Sequence, residues 1–167
     1  MVRRKKMFDK FGEFDHFEEI NKAAEGLKTE GDIDSLKELA RENGIDPEDV
    51  EDYINGINSD LTNRSMAALG KLEVEIADLK PKDIMVDWSD YIRTLIISGD
   101  ELFQTAYRRK GKSLKGCIGA LLKWSNENMH DIDKDIKKAA GFTGNVKLGI
   151  PGSARAKKII KDYYLEG

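Results

Sequence analysis

Apolar residues spaced three and four apart recur through most of the chain, and almost every such run is bounded by residues that start or stop a helix. This punctuated helical period restricts the fold more than any other feature and leaves little room for a sheet. Phe17, Ile20, Ala24 and Leu27 mark a first helix, which Asp15 is placed to cap and Thr29-Glu30-Gly31 to break. A second is expected over 33–42, stopped by Asn43-Gly44, whose residues suit a left-handed helix terminus. Asp46 followed by Pro47 is a cap with proline at the first helical position, and the third helix should run to Ile57. Leu61, Met66, Leu69, Leu72, Val74, Ile76 and Leu79 predict a longer helix that begins at Ser59 or Asp60, is weakened at Gly70 and ends before Pro81.

The second half continues the pattern. Ile84, Trp88, Tyr91, Ile92 and Leu95 predict a helix over 83–97, and Ser98-Gly99-Asp100 stops it and caps a short one through Leu102, Phe103, Ala106 and Tyr107. After a basic turn over 108–112, Ser113 should cap a helix reaching Met129, with Leu114, Cys117, Ile118, Leu121 and Leu122 opposite Lys112, Lys115 and Lys123. A short helix over 133–140 and a Gly-rich connection with Val146-Lys147-Leu148 as a brief extended piece follow. Ser153 should cap the last helix, which turns Ala156, Ile159, Ile160 and Tyr163 to one side and Arg155, Lys158 and Lys161 to the other. The predicted fold class is all-α: a compact bundle of eight or nine helices with a helix-turn-helix-like hairpin in the N-terminal half.

At 167 residues, 40% of them hydrophobic, the chain can bury a core, and three prolines argue against a fibrous or disordered one. No stretch reaches 18 consecutive apolar residues, and the opening Met1-Val2-Arg3-Arg4-Lys5-Lys6 lacks the apolar run of a signal peptide. The expectation is a cytoplasmic protein with no membrane partner. The net charge of −3 conceals a division. Residues 1–100 carry 14 Lys+Arg against 24 Asp+Glu, a balance of −10, and residues 101–167 carry 14 against 7, a balance of +7. The expected organisation is therefore an acidic helical half over 1–98 and a basic one over 99–167, packed as one protein.

The most informative segment is Leu36 to Asn55. It resembles the helix-turn-helix of small DNA-binding repressors: Ala40 lets two helices cross closely, Gly44 makes the turn, and Ile45, Val50 and Ile54 pack the pair together. The chemistry is reversed. Glu48, Asp49, Glu51 and Asp52 point outward where a recognition helix would meet the major groove, and residues 30–55 carry ten acids against two bases. Phosphates repel such a surface, since nucleic-acid affinity rests on Lys and Arg neutralising the backbone. A helix pair with a solvated acidic face accounts for these residues. The functional alternative is an acidic surface aimed at a basic partner, such as the nucleic-acid groove of another protein.

In the basic half, Arg108, Arg109, Lys110, Lys112 and Lys115 cluster beside Tyr107, and the last helix adds Arg155, Lys158 and Lys161. These are candidate phosphate-contacting residues, with Ser113 and Ser153 at helix N-termini, or else a solubilising face. Other patterns fail on inspection. Gly111-Lys112-Ser113 matches the end of a P-loop, but Ala106 stands where its first glycine should be. Asp131-Ile132-Asp133-Lys134-Asp135 opens like a calcium loop, yet Ile136 and Phe142 occupy its glycine and bidentate glutamate positions. The single cysteine, Cys117, lies on an apolar helical face and reads as a buried structural thiol, and His16 and His130 as surface residues near helix ends. With no nucleophile and base pair, no metal set and no nucleotide cradle, neither an enzyme nor a cofactor is predicted.

Several stretches together resemble a family of small proteins carried on plasmids, conjugative elements and prophages of Firmicutes. They are Phe8-Asp9-Lys10-Phe11-Gly12-Glu13-Phe14-Asp15, Glu42-Asn43-Gly44-Ile45-Asp46-Pro47-Glu48-Asp49, Gly70-Lys71-Leu72-Glu73-Val74-Glu75, Lys110-Gly111-Lys112-Ser113-Leu114-Lys115 and Leu148-Gly149-Ile150-Pro151-Gly152. Some members of that family are similar to anti-CRISPR proteins that inhibit the RNA-guided nuclease of type II systems. The resemblance implies stoichiometric inhibition of a guide-loaded type II effector nuclease in a bacterial host cell, and it carries over neither catalytic residues nor a binding surface. Such effectors hold nucleic acid in positively charged channels, which an acidic helical protein of this size could enter. The competing expectation is an accessory or regulatory protein of a mobile element that binds double-stranded DNA through the basic residues.

Overall fold

The computed structural model describes residues 7–166, and among them nine helices and one two-stranded ladder are formed. In chain order the elements are α1 (Phe17–Glu30), α2 (Ile33–Glu42), α3 (Pro47–Ile54), α4 (Arg64–Leu79), α5 (Ile84–Ile97), α6 (Glu101–Arg108), α7 (Leu114–Glu127), β1 (His130–Asp131), α8 (Lys134–Ala139), β2 (Lys147–Leu148) and α9 (Ser153–Leu165). The protein is all-α, and no helix among the described residues is long and apolar enough to cross a membrane. The chain divides into two compact units after Leu114, rather than at the change of charge near residue 100.

In the first unit α1 packs on α2, α2 on α3, and α4 against α5 and α6. The core joins Ile20 and Ala24 of α1, Leu36, Leu39 and Ala40 of α2, Val50 and Tyr53 of α3, and Ile45, Leu61 and Ala67. Phe11 and Phe14 close its edge from the segment before α1, and Phe17 from the first position of that helix. The helix boundaries follow local chemistry. The Asp32 side chain accepts from the Ser35 amide and the Asp100 side chain from the Phe103 amide, each at 3.1 Å, so both cap the helices they precede.

Several expected boundaries are corrected. Asp15 does not cap α1: His16 stands at that position, while the Asp15 carboxylate accepts from the Lys110 amide at 2.7 Å. The third helix stops at Ile54 rather than Ile57, and Ile57 is 70% exposed. The fourth begins at Arg64, capped by Asn63, because Asn21 holds Thr62 through paired side-chain bonds and the chain over 57–61 bends rather than coiling into helix. Gly152, not Ser153, precedes the last helix. In α5 the buried stripe is Ser89, Ile92 and Ile96, which shares Ile92 with the expected one but is otherwise shifted by one residue, about 100° round the helix, and leaves Ile84 at the surface. Leu102 and Leu122 are likewise exposed.

In the second unit the extended piece at Lys147–Leu148 is present, and its partner is His130–Asp131, paired antiparallel with His130 opposite Leu148 and Asp131 opposite Lys147. Gly149 then crosses the end of α7 so closely that a Cβ there would lie 2.4 Å from the Ser125 oxygen. Cys117 is buried, as expected, with Leu121, Ala156, Ile160 and Tyr164.

Candidate functional site

The α2–α3 hairpin forms for reasons local to its turn. The Asn43 side chain donates to the Leu39 oxygen at 2.8 Å, and the Ile45 amide to the Ala40 oxygen at 2.9 Å. Between them Gly44 takes φ +65°, the left-handed region where glycine is least strained. The Asp46 carboxylate then accepts from the Glu48 amide at 2.8 Å and Pro47 fills the first position of α3. Gly70, read from sequence only as a weak point, is the seat of this turn. A Cβ on Gly70 would lie 2.1 Å from the Asn43 oxygen, and one on Gly44 would lie 2.3 Å from the Gly70 oxygen.

Val50 and Tyr53 are buried on the inner side of α3, and the four predicted carboxylates lie on its outer side. At 100° per residue, Glu51, Glu48, Asp52 and Asp49 follow one another around an arc of about 160°. Glu48 and Glu51 are exposed, and Asp49 and Asp52 half-buried. Glu51 stands 3.6 Å from Lys37, whereas Glu48, Asp49 and Asp52 have no cationic partner among the described residues. The helix dipole accounts for acids in the first turn, Glu48 and Asp49, but Glu51 and Asp52 lie beyond it. Along one edge of the arc runs a cleft of about 370 Å³, lined by Ala40, Ile45, Pro47 and Val50 with Lys37, Arg41 and Glu51 at its rim. The hairpin therefore offers an apolar slot beside a band of carboxylates.

Not every acid of the 30–55 segment belongs to this surface. Glu42 is only 2% exposed, and its carboxylate accepts from the backbone amides of Lys10 and Phe11. It fastens the segment before α1 to the end of α2.

The basic candidates separate. Arg108 is not a surface residue: it is 2% exposed and donates to the Phe14 oxygen at 3.2 Å, the Ala67 oxygen at 3.3 Å and the Asn43 side-chain oxygen. It sits on the inner face of α6 with Gln104 and Tyr107, so its spacing to the core outweighs its charge. Burial pushes its guanidinium down to about 10. Arg109 and Lys110 are exposed and Lys112 is half-buried, all in the first unit, while Lys115 opens the second. On α9, Arg155, Lys158 and Lys161 are exposed, with Arg155 5.9 Å from the Trp124 ring. Lys158 lies 2.5 Å from Asp162, whose hydrogen bond raises the ammonium above its ordinary range.

Sequence reasoning missed the charged pair inside the first unit. Lys71, 1% exposed, donates to the backbone oxygens of Tyr107, Arg109 and Lys112 and pairs with Glu13 at 2.8 Å. Glu75, one turn on, accepts from the Tyr107 hydroxyl at 2.8 Å and from the Leu114 amide. Burial raises its carboxyl, against the opposing pull of the Leu114 amide and Lys71. Together Lys71 and Glu75 hold the basic turn against α4. The available signal was the run Ala67-Ala68-Leu69-Gly70, whose small residues mark the side of α4 that neighbours approach most closely.

Compared with known proteins, the chain matches no family model, no curated protein sequence and no solved structure.

Proposed function

We propose that the protein is an anti-CRISPR inhibitor that binds a basic, nucleic-acid-holding channel of a type II RNA-guided DNA endonuclease through the acidic arc of α3. One observation carries this reading: a hairpin with helix-turn-helix shape presents Glu48, Asp49, Glu51 and Asp52 where a DNA reader presents bases. Carboxylates held in that arrangement complement a channel built to receive phosphates, and complementary potentials speed encounter and suppress wrong partners. The apolar slot beside Pro47 and Val50 supplies what charge alone does not, a pocket for an anchoring side chain of the partner. The resemblance of the 8–15 and 42–49 segments to mobile-element proteins supports the choice of target class. On this reading the protein acts stoichiometrically, by blocking DNA engagement or by pinning a domain that moves before cleavage.

The test is a pull-down with guide-loaded type II nuclease together with a DNA-cleavage assay. The proposal expects a complex at micromolar protein and loss of cleavage; absence of both ends it. A second reading, a DNA-binding accessory protein of a mobile element, is favoured by the exposed Arg155, Lys158 and Lys161 on α9. It expects a gel shift with bare duplex that weakens steeply with salt.

A further inference from the structure

The chain has eight asparagines, and two of them, Asn43 and Asn55, are followed by glycine. The α2–α3 hairpin carries both, one at the end of each helix. We infer that Asn55-Gly56 is a site of spontaneous deamidation that adds a carboxylate to the acidic arc of α3, and that the fold protects Asn43-Gly44 from the same reaction. The inference needs the geometry of the hairpin and not the identity of its partner.

The reaction needs water and hydroxide but no enzyme. The Gly56 amide, deprotonated by hydroxide, attacks the side-chain carbonyl carbon of Asn55. A bond forms from that nitrogen to the carbon, the bond from the carbon to Nδ2 breaks, and Nδ2 leaves as ammonia with a proton taken from water. Water then opens the five-membered imide at one of its two carbonyls. The product is aspartate or, with the chain rerouted through the side-chain carbon, isoaspartate. Nothing is oxidised or reduced. Glycine favours ring closure because no Cβ crowds the approach.

The two dipeptides share a backbone and differ in their surroundings. Each asparagine is the C-cap of its helix, with ψ 9° at Asn43 and 0° at Asn55, and each glycine is left-handed, with φ +65° and +75°. Asn43 is fully buried: its side-chain amide donates to the Leu39 oxygen, its side-chain oxygen accepts from Arg108, and Gly44 is pressed against Gly70. Turning that side chain onto the Gly44 nitrogen breaks both bonds inside the core. Asn55 is exposed, as is every residue from there to Asp60, and its side chain makes no hydrogen bond among the described residues. A Cβ on Gly56 would meet nothing within 4 Å, so the space beside the attacking nitrogen is open. Backbone bonds alone hold this cap, from the Gly56 amide to the Tyr53 oxygen at 3.2 Å and from the Ile57 amide to the Asp52 oxygen at 2.8 Å. A solvent-facing terminal turn of this kind opens at little cost, and opening frees the nitrogen.

At 100° per residue, Asn55 lies about 40° round from Glu51 and about 20° short of Glu48, inside the arc. Its conversion adds a carboxylate to Glu48, Asp49, Glu51 and Asp52, at a helix C-terminus where the dipole disfavours negative charge. Isoaspartate also lengthens the backbone by one carbon across the cap.

The test is ageing of the full chain in mildly alkaline buffer, folded and in concentrated urea, with both asparagines followed by peptide mass spectrometry and the whole protein by anion exchange. In the folded protein Asn55 should convert at least ten-fold faster than Asn43, and in urea the two rates should converge. The aged folded protein should give a more acidic main species, which Asn55→Gln, whose longer side chain closes the ring far more slowly, should lack. Equal rates at the two sites in the folded protein, a difference that persists undiminished in urea, or the same acidic species from Asn55→Gln overturns the proposal.

Discussion

Gly44 and Gly70 meet backbone to backbone: neither position has room for a Cβ, since each would fall within 2.3 Å of a main-chain oxygen from the other side of the contact. This contact seats the α2–α3 turn on α4, and the acidic arc of α3 takes its orientation from it. Gly70→Ala must push two backbones apart and should cost about 3 kcal/mol, measured by urea denaturation. Gly26→Ala is the contrast. It lies on the exposed side of α1 with nothing within 4 Å of the added carbon, and should instead stabilise by about 0.5–1 kcal/mol.

Arg108 and Arg109 are neighbours in sequence with opposite expected behaviour. Arg108→Ala removes three hydrogen bonds and leaves the Asn43 side-chain oxygen and two buried carbonyls without their donor, for a loss of about 3 kcal/mol or more. Arg109→Ala, at an exposed position, should change stability by about 0.5 kcal/mol at most. Thermal melts of the two variants separate them.

These two residues also mark how far the sequence could be read. Helical period, caps and turn residues carried the fold class, the α2 boundaries and the outward aim of Glu48, Asp49, Glu51 and Asp52. They work because each depends on residues close in the chain. The buried charges Glu42, Lys71, Glu75 and Arg108 could not be read that way. Their partners stand 31 to 94 residues away, from the bond of Phe11 to Glu42 to that of Arg108 to Phe14, and a charged residue considered alone belongs at the surface. The basic cluster therefore looked continuous, when Arg108 serves the interior and only its neighbours reach solvent. The closeness of Gly44 and Gly70, 26 positions apart, was equally hidden, and Gly70 passed for a defect in α4.

Glu75 predicts a pH dependence with a definite sign. Burial raises its carboxyl above the ordinary value of 4.5, so above that pH the folded state holds the proton more tightly than the unfolded chain. The contribution of Glu75 to stability is fully present below pH 4.5 and declines as pH rises through the folded value. Glu75→Gln removes this dependence. The stability of wild type relative to Glu75→Gln should fall as pH is raised from 4.5 toward neutrality, measured by urea denaturation at a series of pH values.

The DNA-binding alternative makes its own prediction. If the basic residues contact duplex, replacing Arg109, Lys110 and Lys112 with alanine, or Arg155, Lys158 and Lys161, should abolish a low-salt gel shift without loss of fold. No shift at low salt with the wild-type protein dismisses that alternative.

The central claim rests on the carboxylates of α3, and one measurement bears on it most directly. Guide-loaded type II nuclease is titrated with wild-type protein and with the variant carrying Glu48→Lys, Asp49→Lys, Glu51→Lys and Asp52→Lys, following DNA cleavage, with circular dichroism confirming that both are folded. The account predicts stoichiometric inhibition by the wild type and its loss in the folded variant. Equal inhibition by the two proteins would contradict it.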